Sequence, residues 1–338
     1  MRSFGSDNHS GIAPEILEAI AAANLNHCEA YGADDYTLRA KADFCELFGR
    51  SVEVYFVFNG TGANILSLSS GMQPYNSILC AHTAHINVDE CGAPERQIGG
   101  KVIAIETPDG KLTPERVRPY LHGFGFEHHS QPKFISIAQC TELGTVYTPE
   151  EIEALSELAH SHNMYLHIDG ARIANAVASS GVGIAEMTRG ADVLSFGGTK
   201  NGMMCGEAVV ILNPELGAAM PYQRKQAMQL YSKMRFVSAQ FSAYLKDDLW
   251  LRLASGSNEM AQLLADGISQ YFPLAQKVEA NEVFVKMPRR LYEELLKEYF
   301  FYVWDEEADD IRFVCSFDTT RQDVEALVAA VAKLSRNL

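Results

Sequence analysis

The sequence predicts an α/β protein: a large domain with a mostly parallel sheet flanked by helices, plus a small C-terminal α+β domain. Three observations carry this expectation. Strand and helix signals alternate through the first two thirds of the chain. The stretch from Lys133 to Leu166 reads as the clearest strand–helix–strand unit, a pattern that places parallel strands in a sheet with helices packed on its faces. Beyond about residue 212 the pattern changes to a long helical run and then to short strands. With 338 residues and 47% hydrophobic content, the chain is long enough to bury a large core, and its length fits two domains or one large domain with an appendage. The expected division is 1–245 for the large domain and 246–338 for the small one. The N-terminal segment, about 1–20, is expected to pack on the small domain, and no Pro/Gly/Ser-rich linker marks the boundary.

Taken in order, Pro14 to Asn24 reads as a helix, with Pro14 in its first turn and Ile16, Leu17 and Ile20 on one face. Thr37 to Phe48 reads as a second, stopped by Gly49. Val52 to Phe58 is a short β-rich run. It leads through Asn59-Gly60-Thr61-Gly62-Ala63-Asn64 into a helical stretch, Ile65 to Ser70. Ser77 to Cys80 and Lys101 to Glu106 read as strands, as does Phe134 to Ala138. Thr148 then serves as N-cap, Pro149 as first helical residue and Glu151 as the reciprocal partner of a capping box. Ile152, Leu155, Leu158 and Ala159 supply that helix's buried stripe, Asn163 ends it, and Met164 to Ile168 forms the next strand. Val193 to Phe196 and Ala208 to Leu212 follow as strands, and residues 221–270 read mainly as helix. Glu282 to Lys286, Phe301 to Trp304 and Ile311 to Phe317 are the strands of the small domain. Thr320 caps a last helix with Val324, Leu327, Val328 and Val331 on one face.

The formal net charge is −15. A polyanion repels phosphate backbones and anionic lipid, which disfavours nucleic-acid and membrane-surface partners. A small substrate remains compatible, since a local Arg or Lys pocket can still be positive. The seven cysteines are widely and irregularly spaced, with no Cys-x-x-Cys pair. That pattern signals neither a disulfide framework nor a zinc site and suits reduced thiols in a cytoplasmic protein. The first residues lack the apolar core of a signal peptide, and no apolar run is long enough to span a bilayer.

Three segments carry chemistry. The Asn59 to Asn64 turn lies between a strand and a helix, where glycines allow close backbone approach and free N–H groups point at an oxyanion. An ordinary strand–helix turn would use the same glycines. A dinucleotide fingerprint would need a third glycine near Ile65 and an acid at the end of the next strand; His82 and His85 stand there instead. Asp169-Gly170-Ala171-Arg172 follows a buried strand, and ligands of open parallel sheets bind beyond such strand ends. Asp169 there can accept from a protonated ring nitrogen, and Arg172 can hold a carboxylate or phenolate oxygen. The bland alternative is a mutual Asp–Arg pair. Ser195-Phe196-Gly197-Gly198-Thr199-Lys200-Asn201-Gly202 follows another buried strand. A lysine is usually a solvated surface group, but at a strand end, desolvated, its amine can become a nucleophile. Thr199 can reach the same phosphate as the glycine turn.

Phosphate cup, acid and lysine follow one another in the order used by fold-type I pyridoxal 5′-phosphate (PLP) enzymes. The chain resembles the threonine aldolases of the β-eliminating lyase superfamily over nearly its whole length. The resemblance is carried by Ser6-Asp7, Tyr31-Gly32, Gly60-Thr61-Gly62-Ala63-Asn64, Ala84-His85 with Glu90, His167-Ile168-Asp169-Gly170-Ala171-Arg172, Lys200 and Ile311-Arg312. The form Phe196-Gly-Gly-Thr-Lys-Asn-Gly is similar to the low-specificity bacterial branch. Gln139-Cys140-Thr141 stands where other members carry Glu-Asn-Thr. The resemblance implies PLP held as a Schiff base on Lys200, with Asp169 at the pyridinium nitrogen and His85 on the ring face. It implies Gly60, Thr61 and Thr199 at the phosphate, Arg172 at both cofactor and substrate, and Ser6, Arg172 and Arg312 on the substrate carboxylate. His128 would lie near the substrate hydroxyl.

The activity so implied is retro-aldol Cα–Cβ cleavage of L-threonine, L-allo-threonine and related β-hydroxy-α-amino acids to glycine and an aldehyde. The base that takes the hydroxyl proton stays open among His85, His128 and a bound water, because unperturbed histidine titrates near pH 6.5. Rival readings are a phenylserine aldolase, another PLP-dependent β-eliminating lyase or an aminotransferase, and, more remotely, a PLP-fold binding protein without catalysis. That last reading predicts a damaged lysine, acid or carboxylate clamp, and each is present. A metal centre would need a His/Asp/Glu cluster at ligand spacing, and none is expected. The resemblance also implies a homo-oligomer, dimer or tetramer, with Tyr31 and Arg224 or Lys225 reaching a neighbour's site.

Overall fold

The computed structural model describes residues 3–336. Seven strands form the main sheet: β1 (Glu53–Val57), β2 (Asn76–Ala81), β3 (Lys101–Ile105), β4 (Gln131–Ala138), β5 (Tyr165–Gly170), β6 (Val193–Gly197) and β7 (Glu207–Ile211). Their spatial order is β1-β7-β6-β5-β4-β2-β3. Neighbours from β6 to β3 pair in parallel, as the strand–helix–strand pattern requires. The exception is β7, antiparallel to both β1 and β6. The connection from Gly197 to Glu207 is too short for a helical crossover, so the chain returns in the opposite direction.

Local chemistry explains most element ends. The capping box of Thr148 and Glu151 is formed at the start of the helix Pro149–Ser161. Gly49 closes Asp35–Phe48 in the left-handed region at φ 62°. The helix expected from Ile65 begins earlier, at Gly60, because the Asn59 side chain accepts from the Gly62 amide at 2.8 Å. The glycine turn is therefore the helix's first turn, with its free N–H groups at the strand end. The long helical region resolves into Met220–Gln226, Arg235–Leu245 and Leu249–Ile268. Among the described residues no helix is long and apolar enough to cross a membrane.

Two large hydrophobic cores follow. The larger packs Phe44, Phe56, Phe196, Phe241 and Trp250 behind the sheet, with Phe44 edge-on to Phe196 at 5.1 Å. The smaller surrounds the sheet of β8 (Glu282–Lys286), β9 (Tyr302–Asp305) and β10 (Asp310–Val314). One helix, Leu249–Ile268, serves both cores: Ala254 lies in the first and Met260 in the second. Phe4 is fully buried in the second core, and its backbone bonds to Phe300 and Val314 at 2.8 Å each. The chain's start is thereby stitched to its last third. Removing a fully buried phenylalanine ring costs about 3–5 kcal/mol. Phe4→Ala is expected to lower stability by about 3 kcal/mol in urea unfolding; a change below 1 kcal/mol would show that the N-terminal segment is not held through this ring.

Candidate active site

The carboxyl ends of β1, β2, β4, β5 and β6 open on one side of the sheet, and β7, being reversed, begins there. A cavity of about 340 Å³ at this edge is lined by Asn59, Gly60, Thr61, Asn64, His85, Glu142, Asp169, Arg172, Thr199, Lys200 and Glu207, with Asn8, Phe58, Ala138, Cys140 and Ala171. The glycine turn, the acid and the lysine, far apart in sequence, share this one space. Lys200 sits in a single helical turn, Thr199–Asn201. Close packing of the β5 and β6 ends makes this possible: a Cβ on Gly197 would lie 2.5 Å from the Ala171 carbonyl oxygen.

Asp169 is buried, and its donors are neutral. The Ala171 amide reaches Oδ1 at 3.0 Å and the Asn64 side chain reaches Oδ2 at 2.7 Å. The second hydrogen of Asn64 Nδ2 goes to Glu90 Oε1 at 2.9 Å, and His85 Nδ1 lies 2.9 Å from that same oxygen. A polar chain thus runs Asp169–Asn64–Glu90–His85. The Glu90 hydrogen bond raises the His85 pKa above its usual 6.5; burial opposes this, and the Asp169 and Glu90 charges add to it. Asn64 Oδ1 and Glu90 Oε2 are buried without a partner.

Arg172 has an acid partner, but it is Asp7 rather than Asp169. Nε and Nη2 grip the Asp7 carboxylate at 2.6 and 3.1 Å, and Nη2 stands 3.6 Å from Glu282. Arg312 lies 3.5 Å from the same Glu282 and stacks over Trp304 at 4.8 Å. Two largely buried cations therefore alternate with two fully buried anions. Burial would raise the Asp7 pKa, but Arg172 and Lys200 outweigh it and hold the carboxyl below its ordinary range. The Arg172 fork, expected on cofactor and substrate, is thus already half filled by protein. Ser6 caps the turn Asp7–His9, its hydroxyl accepting from the Asn8 amide at 3.1 Å. It borders the cavity only through Asn8.

Other expected residues fall elsewhere. His128 lies on the exposed loop ahead of β4, at the strand end opposite the cavity, with its side chain 72% exposed. Its own chain does not bring it to Lys200. Tyr31 and Lys225 are both exposed and adjacent, the Lys225 ammonium 5.4 Å from the ring centre. Arg224 is turned inward, over Tyr55 and towards the Phe56 carbonyl. Gln139 is fully buried and bonds the Tyr147 backbone in both directions, at 2.9 and 3.0 Å. It stays clear of the cavity. The Thr199 hydroxyl donates to the Gly206 carbonyl at 3.4 Å.

Sequence reasoning missed two acids of the cavity. Glu207 accepts from the Gly198 amide at 2.9 Å, bracing the Lys200 turn, and burial pushes its pKa up to about 7. Glu142 accepts from the His85 amide at 2.8 Å, and burial, with the charge of Asp169, pushes it to about 7 as well. Each lies within a few residues of a strand end, which was the available signal.

A model of the β-eliminating lyase family matches residues 3–289. The low specificity L-threonine aldolase of Pseudomonas aeruginosa is 44% identical over 336 residues, 96% of each chain. A threonine aldolase structure from Leishmania major superposes with a TM-score of 0.95 at 31% identity, over 99% of this chain and 100% of that one. A mutant aspartate aminotransferase of Thermus thermophilus, at 17% identity, shares the fold with a TM-score of 0.70 over 96% of this chain and 89% of that one.

Two outcomes follow from the electrostatics. Breaking a buried ion pair by removing one partner costs about 3–5 kcal/mol, so Asp7→Asn should destabilise the protein by that amount at neutral pH. Because the Asp7 pKa is depressed, its contribution is present above about pH 4 and fades as pH falls through the folded value. The variant's denaturant midpoint should therefore drop less than wild type's on acidification; parallel curves would refute the assignment. The His85 pKa is raised, so its pairing stabilises below about pH 6.5 and is lost as pH rises through the folded value. In Glu90→Gln the His85 titration followed by NMR should move to lower pH, and an unmoved midpoint would rule out Glu90 as the cause.

Proposed function

The chain belongs to the β-eliminating lyase family, and we propose that it cleaves L-threonine, L-allo-threonine and related β-hydroxy-α-amino acids to glycine and an aldehyde. The bond broken is Cα–Cβ, in a retro-aldol reaction of the threonine aldolase type. The observation carrying this reading is the meeting of Lys200, Asp169 and the Gly60 helix start on a single cavity, in a chain 44% identical to a curated aldolase.

Family membership implies PLP. The cavity fits that group on three grounds. A helix N-terminus faces it, free amides first. A Cβ at Gly60 would meet nothing within 4 Å, so this end of the cup is open to a phosphate. Asp169 is a buried carboxylate served only by neutral donors, and so is matched to a cationic ring N–H. When bound, PLP supplies the electron sink for the pair released from Cα.

Lys200 would anchor the cofactor covalently. Gly60, Thr61 and Thr199 would hold its phosphate, and His85 would lie on its ring face. Asp169 would keep the ring nitrogen protonated, with Asn64 fixing the carboxylate. Arg312 is the stronger candidate for the substrate carboxylate. Its Nε is buried without a partner, whereas Arg172 is gripped by Asp7. A planar guanidinium is well shaped for such an anion. On this reading Arg172 and Ser6 position the Asp7 turn beside Arg312 and complete the clamp. His128 would need a neighbouring subunit to act on substrate.

The assembly proposed is a homo-oligomer, a dimer or tetramer, with Tyr31, Lys225 and Arg224 at or near a neighbour's site. Exposed Tyr31, Tyr222 and Met228 lie near those positions in the chain and support such a contact. All seven cysteines are unpaired, which supports a reducing, cytoplasmic setting.

Purified protein should take up PLP with a visible absorption band that changes on adding threonine. Threonine should yield equimolar glycine and acetaldehyde. Lys200→Ala should lose the band and the activity together. A protein that binds no PLP, or that returns a keto acid from threonine, would overturn this function.

A further inference from the structure

If the protein cleaves β-hydroxy amino acids as proposed above, a group must take the proton of the β-hydroxyl. The obvious histidines are poorly placed. His128 lies at the far end of β4, exposed. His85 is in the cavity, but its Nδ1 is taken by buried Glu90 at 2.9 Å, and on the reading above its ring lies against the face of the cofactor.

Glu142 stands on the loop leaving β4, the strand between β5 and β2. That places it between Asp169, at the end of β5, and His85, beyond β2, and it lines the same cavity as Lys200. One carboxylate oxygen is fixed by the His85 amide at 2.8 Å. The residue is only partly buried and lines the cavity together with Asp169 and Lys200.

We propose that Glu142 is a catalytic residue of this site, the general base that accepts the substrate's β-hydroxyl proton. The proton passes to the Glu142 carboxylate, and the O–H pair becomes the second bond of the aldehyde carbonyl. The Cα–Cβ pair leaves with Cα, which is later reprotonated to give glycine. Protonated Glu142 returns its proton to water, and no further reactant is consumed.

Burial and the Asp169 charge push the Glu142 pKa up to about 7, with His85 acting against them. The other titratable groups facing it, Cys80 on β2 and Tyr147 on the following loop, are both raised by burial and so stay neutral. A base poised near neutral pH is the most effective kind.

The test compares two reactions of PLP-loaded enzyme. Threonine cleavage needs the hydroxyl proton removed; exchange of the glycine α-proton with deuterated water, followed by NMR, does not. Glu142→Gln keeps an oxygen to accept from the His85 amide but removes the base. It should lose cleavage by about 10²-fold or more while glycine exchange stays within about threefold of wild type. Glu142→Asp should recover at least part of the cleavage and keep a pH dependence near neutrality. Undiminished cleavage in Glu142→Gln, or loss of exchange in parallel with cleavage in both variants, would overturn the role. Wild-type enzyme that exchanges glycine but fails to cleave threonine would instead refute the proposed function, leaving the two failures distinct.

Discussion

The small domain is held against the site by one buried line of charge: Asp7, Arg172, Glu282 and Arg312. Its members come from the N-terminal segment, the end of β5, the start of β8 and the middle of β10. Buried charges are tolerated only when matched, and here each cation has an anion on at least one side. Loss of the N-terminal segment would remove the carboxylate that grips Arg172, and a shift of the small sheet, which carries both Glu282 and Arg312, would part Glu282 from Arg172. Asn281 adds a bond to Asp7 at 3.1 Å. A clamp built this way fixes where Arg312 stands relative to Lys200, though neither residue is on the same core.

A second constraint is the reversal of β7. A parallel β7 would have begun at the far edge of the sheet. Returning antiparallel, it delivers Glu207 beneath the Lys200 turn, where the carboxyl accepts the Gly198 amide. The same reversal seats β7 between β6 and β1, so the glycine helix after β1 and the lysine turn after β6 flank one strand. Phosphate cup and lysine are neighbours for this reason.

Much of the architecture was legible in local patterns. The Thr148–Glu151 capping box, the stop at Gly49, and the β5 and β8 strands depend on residues within a turn or two of one another. Local pattern places the start of the helix at Ile65 rather than Gly60, because glycine disguises a first turn as a loop. Alternating strand signals predict a mostly parallel sheet without saying which strand is the exception; that β7 runs antiparallel to both its neighbours follows from its short connection. At the site, Asp169, Lys200 and the glycine turn stand out as chemistry at strand ends. Glu142 and Glu207 do not, because a glutamate in a loop is ordinarily a solvated charge.

By itself, the sequence determined the order of elements, the three segments with chemistry and, through its motifs, the family. These are properties of neighbours in the chain, set by periodicity, capping and backbone freedom. Tertiary structure alone decided which acid faces which base. It paired Arg172 with Asp7, left Arg312 Nε without a partner, placed His128 away from the cavity and brought Glu142 beside His85. Those outcomes depend on desolvation and on distances of a few ångströms between strand ends. Both quantities exist only once the sheet has assembled.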